Sequence, residues 1–216
     1  MRLYPSLAAA PQAALGETVH RLEQAGVDAL HFDLEDGSFV PVMTLGAKII
    51  SDLRPLSRLP FDVHLMMVSP EWIVPELARA GANRLSVHYE ACLYPRRVLR
   101  AIHDLGVEAG LAFNPATPVP DLAYLKPYLR FVLLLTSEPE LPSPVYLPQV
   151  LEKVRQNKGR PGYEDLEWVV DGGLDASNLG KAAAAGADAA VIGRAFFDGD
   201  DLKENAVRLR AAIQAP

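Results

Sequence analysis

A short phrase recurs along the chain: AGVDAL from Ala25, AGANRL from Ala80 and AGADAA from Ala185, with a weaker LGVEAG from Leu105. In each copy a helix-like stretch ends and glycine supplies the left-handed residue that closes helices. A short apolar run then follows and reads as a buried strand. The three strong copies lie 55 and 105 residues apart, close to two and four times 27, which is one eighth of the 216-residue chain. That is the rhythm of eight strand–helix units with parallel strands under covering helices. Half of the residues are hydrophobic and 22% are charged, with no linker and no break in composition, so one domain over residues 1–216 is expected.

The pattern places strands near Arg2–Leu7, Asp28–Asp33, Phe61–Met66, Arg84–His88, Glu108–Phe113, Phe131–Thr136, Glu167–Asp171 and Ala189–Gly193. Helices are expected near Gln12–Ala25, Ala47–Leu53, Trp72–Ala80, Pro95–Leu105, Pro120–Tyr124, Leu147–Asn157, Ala176–Ala185 and Leu202–Ile213. An open sheet binding a dinucleotide would need a G-x-G-x-x-G turn, and the chain has none.

Four ionisable residues stand where apolar runs stop: His31 and Asp33 in ALHFDLEDG, His64 in PFDVHLMM and Asp171 in LEWVVDGG. Any one of them alone reads as a packed histidine or a turn-forming aspartate. Four at strand ends read together as ligands and acid/bases, because the carboxyl ends of the strands are where a closed barrel gathers its chemistry. An α/β fold of the (β/α)8 TIM-barrel type is therefore expected. Two imidazoles and two carboxylates form a complete ligand set for one divalent transition metal, zinc, iron(II), manganese or cobalt, with no choice among them.

The net charge of −6 and the lack of a basic block argue against nucleic acid and against an anionic membrane surface. No apolar run is long enough to span a bilayer. The opening MRLYPSLAAAPQAALG is broken by Pro5 and Pro11 and reads as a first strand and turn, not as a leader, so a cytoplasmic protein is expected. Cys92, the only cysteine, rules out an intrachain disulfide and reads as a small packing residue.

With these residues in view, the chain resembles the ribulose-phosphate 3-epimerase family. YPSLAAA, HFDLEDGSFVP, DVHLMMVSPE, SVHYEA, GLAFNPATP, LLTSEPE, VVDGG and AVIGRAFF carry the resemblance, in order and at matching spacing. The resemblance implies a barrel that holds one divalent metal and binds a ketose phosphate as a homo-oligomer. Position by position, it makes His31, Asp33, His64 and Asp171 the metal ligands, Asp33 and Asp171 the two acid/bases, and Ser6 a substrate-binding serine. The implied chemistry needs those groups. Removing a proton beside a ketone leaves an enediolate, whose charge a metal stabilises. Inversion then needs a base on one face of C3 and an acid on the other.

Phosphate is expected at the loops after strands seven and eight, at Gly172, Gly173, Gly193 and Arg194, with His64 also facing the sugar. The chain departs from the family after strand six. The family's NPGFGGQ-like loop is replaced by Glu138 to Pro144, in which Pro142 and Pro144 offer no N–H and Glu140 adds a negative charge. Arg194 stands where the family has serine and could grip phosphate with a charged fork, or pair with Asp198. Glu35 stands where the family has methionine. Ribulose 5-phosphate is the first expectation for substrate, with a hexulose 6-phosphate, or binding without turnover, as alternatives. His88 reads either as a partner of a metal ligand or as a packed residue, Met66 and Met67 as core, and His20 and His103 as solvent-facing.

Overall fold

The computed structural model describes residues 1–139 and 145–214. Eight parallel strands form one sheet: β1 (Arg2–Pro5), β2 (Leu30–Glu35), β3 (Phe61–Met66), β4 (Arg84–His88), β5 (Glu108–Phe113), β6 (Leu129–Leu135), β7 (Glu167–Asp171) and β8 (Ala189–Ile192). Their order is β1-β8-β7-β6-β5-β4-β3-β2. The remaining seam brings β1 beside β2 through a Ser6–His31 bridge and an Asp28 N–H bond to the Leu3 carbonyl at 3.2 Å. The sheet thus curls into the expected barrel. Its outer layer is α1 (Leu15–Gln24), α2 (Lys48–Leu53), α3 (Val74–Ala80), α4 (Pro95–Asp104), α5 (Leu151–Asn157), α6 (Leu179–Ala184) and α7 (Leu202–Gln214).

The recurrent phrase does two structural jobs. Its glycines, Gly26, Gly81, Gly106 and Gly186, all have positive φ, between 70° and 101°. The acid or amide two residues later ties the next strand to the one before it. Asp28 accepts the Leu3 N–H, Asn83 the Phe61 N–H and Asp188 the Trp168 N–H, each at 2.8 Å. The same clamp therefore recurs at β1/β2, β3/β4 and β7/β8.

One expected helix is absent. Residues 120–124 form an irregular turn. Pro118 and Pro120 supply no N–H, the Leu122 N–H goes to the Tyr163 hydroxyl at 2.6 Å, and the Ala123 N–H goes to Asp121 at 2.9 Å. Side chains have taken the donors that a helix would need. Helix α6 starts at Leu179 instead of Ala176, because Asp175 and Asn178 fold the preceding residues into a turn. Strand β2 runs on to Glu35, two residues beyond Asp33, and β8 stops at Ile192, one short of Gly193.

Strand alternation splits the interior into two halves. On β2, β3 and β4 the outward residues, such as Phe32, Val63 and Leu85, pack under the helices. The alternate residues His31, Asp33, Asp62, His64, Arg84, Ser86 and His88 face the lumen and are buried. The lumen side of β5 to β8 is mainly apolar, with Ala112, Phe131, Leu133, Val169 and Val191, and carries Glu167 and Asp171 at the two ends of β7. Gly110 permits this filling, since a Cβ there would stand 2.3 Å from the Phe131 ring.

Candidate active site and metal centre

Strand register assembles the polar half in rows. His31 is level with Asp62 and Asp62 with Arg84; one step higher, Asp33 is level with His64 and His64 with Ser86. Across the mouth, β7 ends on Asp171. Four of the side chains singled out by sequence converge: His31, Asp33, His64 and Asp171 are buried and offer ligand atoms all within 4.8 Å of one another.

The distances suit a cation. His31 Nε2 lies 3.1 Å from Asp33 Oδ1 and 3.8 Å from Asp171 Oδ2; His64 Nδ1 lies 3.3 Å and 3.7 Å from the same two oxygens. Donors held at roughly 2.0–2.2 Å around a four-coordinate ion stand about 3.3–3.6 Å apart. The other nitrogen of each ring is also engaged. His31 Nδ1 donates to Asp62 Oδ2 at 2.8 Å, and His64 Nε2 meets His88 Nε2 at 2.9 Å. His88 in turn reaches Glu90 through Nδ1 at 3.1 Å. Metal-binding imidazoles have this kind of outer partner, which fixes the tautomer and turns a lone pair toward the ion. On donor type, spacing and outer partners, the residues present fit one divalent ion.

Behind His31 lies a largely buried charge network. Asp62 Oδ1 is 3.2 Å from Arg84 Nε, and Arg84 Nη1 reaches both Glu167 oxygens at 3.0–3.1 Å and the Tyr4 hydroxyl at 2.9 Å. Burial alone would raise the Asp62 carboxyl, but the Arg84 charge and the His31 bond hold it below the usual range. Burial would likewise lower His31, but the charges and hydrogen bonds of Asp33 and Asp62 together outweigh it, holding the ring well above its ordinary value. His88 goes the other way: burial pushes it down to about 4.

The two aspartates diverge. Burial tends to raise both, yet the charge of His31 and hydrogen bonds from His31 and His64 hold Asp33 far below the carboxylate range. Asp171 is pushed up by burial and by the neighbouring Asp33 charge. Ser6 Oγ donates to Asp33 Oδ2 at 2.6 Å. Glu35 accepts from the Thr44 N–H and hydroxyl at 2.8 and 2.7 Å, which ties this charged residue to Thr44, outside the four-residue cluster.

A cavity of about 880 Å³ opens above the cluster, and Ser6, Asp33, Glu35, Asp171, Gly172, Gly173, Gly193 and Arg194 all line it. His31 and His64 do not border it; both are fully buried beneath. Gly172 and Gly173 have φ of +114° and +66° and press against Ser137 and Tyr146, so their lack of side chains is needed for packing as well as for access. Asp198 faces Arg208 at 4.0 Å. Of the loop after β6, Glu138 and Pro139 are described, whereas Glu140, Pro142 and Pro144 lie outside the described residues. His88 is the partner of His64, Cys92 is a buried free thiol, and His20 and His103 are exposed.

Asp62, Arg84 and Glu90 escaped the sequence reading. Asp62 could have been found, because it sits two residues before His64 and so shares its lumen-facing side of β3. Arg84 and Glu90 had no comparable signal.

The family model described as the ribulose-phosphate 3 epimerase family matches residues 2–197. Ribulose-phosphate 3-epimerase of Escherichia coli K12 is 39% identical over 213 residues, covering 97% of this chain and 94% of that protein. The Bacillus subtilis protein of the same name is 37% identical over 215 residues, covering 98% and 99%. Among solved structures, a 3-hexulose-6-phosphate synthase superposes with a TM-score of 0.63 at 19% identity, covering 98% of this chain and 99% of that one. A tryptophan synthase α-subunit from Pyrococcus furiosus superposes with a TM-score of 0.69 at 14% identity, covering 97% and 98%. These two likenesses show the shared barrel fold.

Proposed function

Since the chain belongs to the ribulose-phosphate 3-epimerase family, we propose that it inverts C3 of D-ribulose 5-phosphate to give D-xylulose 5-phosphate, and the reverse. The observation that carries this reading is the convergence of two aspartates from different strands, Asp33 of β2 and Asp171 of β7, on one cluster at the cavity, where the histidines hold Asp33 below the carboxylate range and burial with the Asp33 charge pushes Asp171 above it. A two-sided inversion needs one base and one acid at the same moment, and a pair whose surroundings drive its proton affinities apart supplies both.

Asp33 takes the C3 proton from one face, and Asp171 delivers a proton to the other; in the reverse direction the roles exchange. The Ser6 hydroxyl fixes the Asp33 carboxylate and leaves its own lone pairs for a substrate hydroxyl. A divalent ion held by His31, Asp33, His64 and Asp171 would stabilise the negative charge that develops on the ketone oxygen. Zinc, iron(II), manganese and cobalt all suit that donor set. The phosphate sits against Gly172, Gly173, Gly193 and Arg194 at the far side of the cavity.

Solvent exchange tests the reading. Metal-loaded protein in D2O should place deuterium at C3 of ribulose 5-phosphate, read by proton NMR. No exchange with any of several ketose phosphates would overturn it. The altered loop after β6 favours including hexulose 6-phosphates in that panel, and a higher kcat/KM for one of them would reassign the substrate.

No helix among the described residues is long and apolar enough to cross a membrane. We place the protein in the cytoplasm, with its phosphorylated substrate. We also expect a homo-oligomer, a reading supported by the exposed side chains of Trp72, Leu93 and Tyr94 and tested by light scattering.

A further inference from the structure

Lys181, the third residue of α6, lines the cavity together with Asp33, Asp171, Gly173 and Arg194. Helical side chains lean toward the helix N-terminus, and α6 begins at the cavity mouth after the turn from Gly172. That turn is pinned, since the Asp175 N–H bonds Asn178 Oδ1 at 2.9 Å and Asn178 Nδ2 bonds the Gly173 carbonyl at 3.0 Å. The backbone that carries Lys181 is therefore held in place relative to the glycine pair.

Four carboxylates also line the cavity, and each is engaged elsewhere. Asp33 bonds Ser6 and the two histidines, and Asp171 belongs to the ligand cluster. Glu35 bonds Thr44, and Asp175 accepts from the Ser177 N–H and hydroxyl at 2.8 and 2.6 Å. Lys181 forms no ion pair with any of them; among the described residues it makes no side-chain hydrogen bond either. Its ammonium is thus available to an anion entering from solution.

We propose that Lys181 is a phosphate-binding residue, so that side-chain cations, Lys181 together with Arg194, seat the substrate's phosphate. The proposal rests on the sugar-phosphate reading above and adds a specificity determinant to it. A pair of cations favours the phosphate dianion over the monoanion, whose conversion falls near pH 6. Lys181 therefore discriminates phosphorylated from free ketoses and strengthens binding as pH rises through that value.

The test combines kinetics with direct binding of inorganic phosphate by calorimetry. Lys181→Met should raise KM for ribulose 5-phosphate about tenfold, within the range set by losing one charged hydrogen bond, and leave kcat within about twofold. It should weaken phosphate binding by a similar factor. Lys181→Arg should restore most of both, and Lys203→Met, on the outer helix α7, should change neither. Lys181→Gln serves as a second variant, with melting temperature reporting the fold of each. Phosphate binding and KM unchanged in a folded variant would overturn the proposal, as would wild-type protein that binds no phosphate. If the wild type turns over no ketose phosphate but loses phosphate binding with Lys181, the epimerase reading falls and Lys181 stands. If turnover is normal and insensitive to Lys181, the reverse holds.

Discussion

His31 Nδ1 stands 2.8 Å from Asp62 Oδ2, and neither side chain has any exposure to solvent. Since a carboxylate can only accept, Nδ1 carries a proton, so Nε2 is the nitrogen whose lone pair would meet an ion in the ligand cluster once its own proton, now facing Asp33, is displaced. Arg84, paired with Asp62 on the next strand, keeps that carboxylate ionised. The orientation of His31 is thus set three strands wide.

Asp62→Asn should weaken metal affinity about 10- to 100-fold, the usual cost of losing an outer partner. It also removes one of the carboxylates that pair with the buried Arg84, leaving Glu167 among its partners, and lowers stability by about 3 kcal/mol. Chelator competition and urea unfolding measure the two effects separately.

His88 makes stability acid-sensitive. Its folded-state affinity is depressed to about 4, against about 6.5 when unfolded. Its contribution is therefore complete above pH 6.5 and is lost as pH falls toward 4. The full loss amounts to roughly 3 kcal/mol. Glu90, lowered to about 2 by its bonds to His88 and Asn114 despite burial, extends the loss below pH 4.5. Urea midpoints in chelator at pH 7.5, 6 and 5 should fall for the wild type and fall less for His88→Gln.

Asp33→Asn and Asp171→Asn should each reduce kcat on the order of 10²- to 10⁴-fold, the range for losing one acid or base. Metal analysis of each variant separates lost proton transfer from lost ligation. In the wild type, product formed in D2O should carry one solvent deuterium at C3.

Chelator treatment should abolish turnover, and adding back a divalent ion should restore it, with one ion per chain by elemental analysis. Turnover that survives in metal-free protein would contradict the role given to the four ligands.

Arg194→Ser should raise KM for a phosphorylated ketose about tenfold to a hundredfold, since a charged hydrogen bond is worth about 1.5–3 kcal/mol. The unphosphorylated sugar should be unaffected. An unchanged KM would assign Arg194 to the structure of its loop.

Much of this architecture was legible from the chain alone, because buried strands are short apolar runs and the glycine closing each helix recurs in one phrase. The convergence of four side chains was legible for the same reason: His31, Asp33, His64 and Asp171 interrupt runs that are otherwise apolar. Pro120 to Tyr124 misled because a proline opening a short amphipathic stretch looks like a helix start, and nothing local announces that Tyr163 takes the Leu122 N–H. Arg84 was hidden by its neighbours. Beside Asn83 it reads as a surface residue, and only the register with Asp62 turns it inward. The partnership of His88 with His64 likewise depends on two strands lying side by side.

The clamp residues Asp28, Asn83 and Asp188 hold three strand pairs by the same bond, yet at β1/β2 little else supplements it: one backbone bond, the bridge from Ser6 to His31 and the Ser6 hydroxyl bond to Asp33. The residues that close the cylinder at this point are the ones that orient Asp33 and contribute His31. A transient parting of the two strands would therefore disassemble the reaction centre without unfolding the rest. Conversely, an ion gripped jointly from β2, β3 and β7 would act as a rivet, slowing amide exchange around the opening well before it raised global stability.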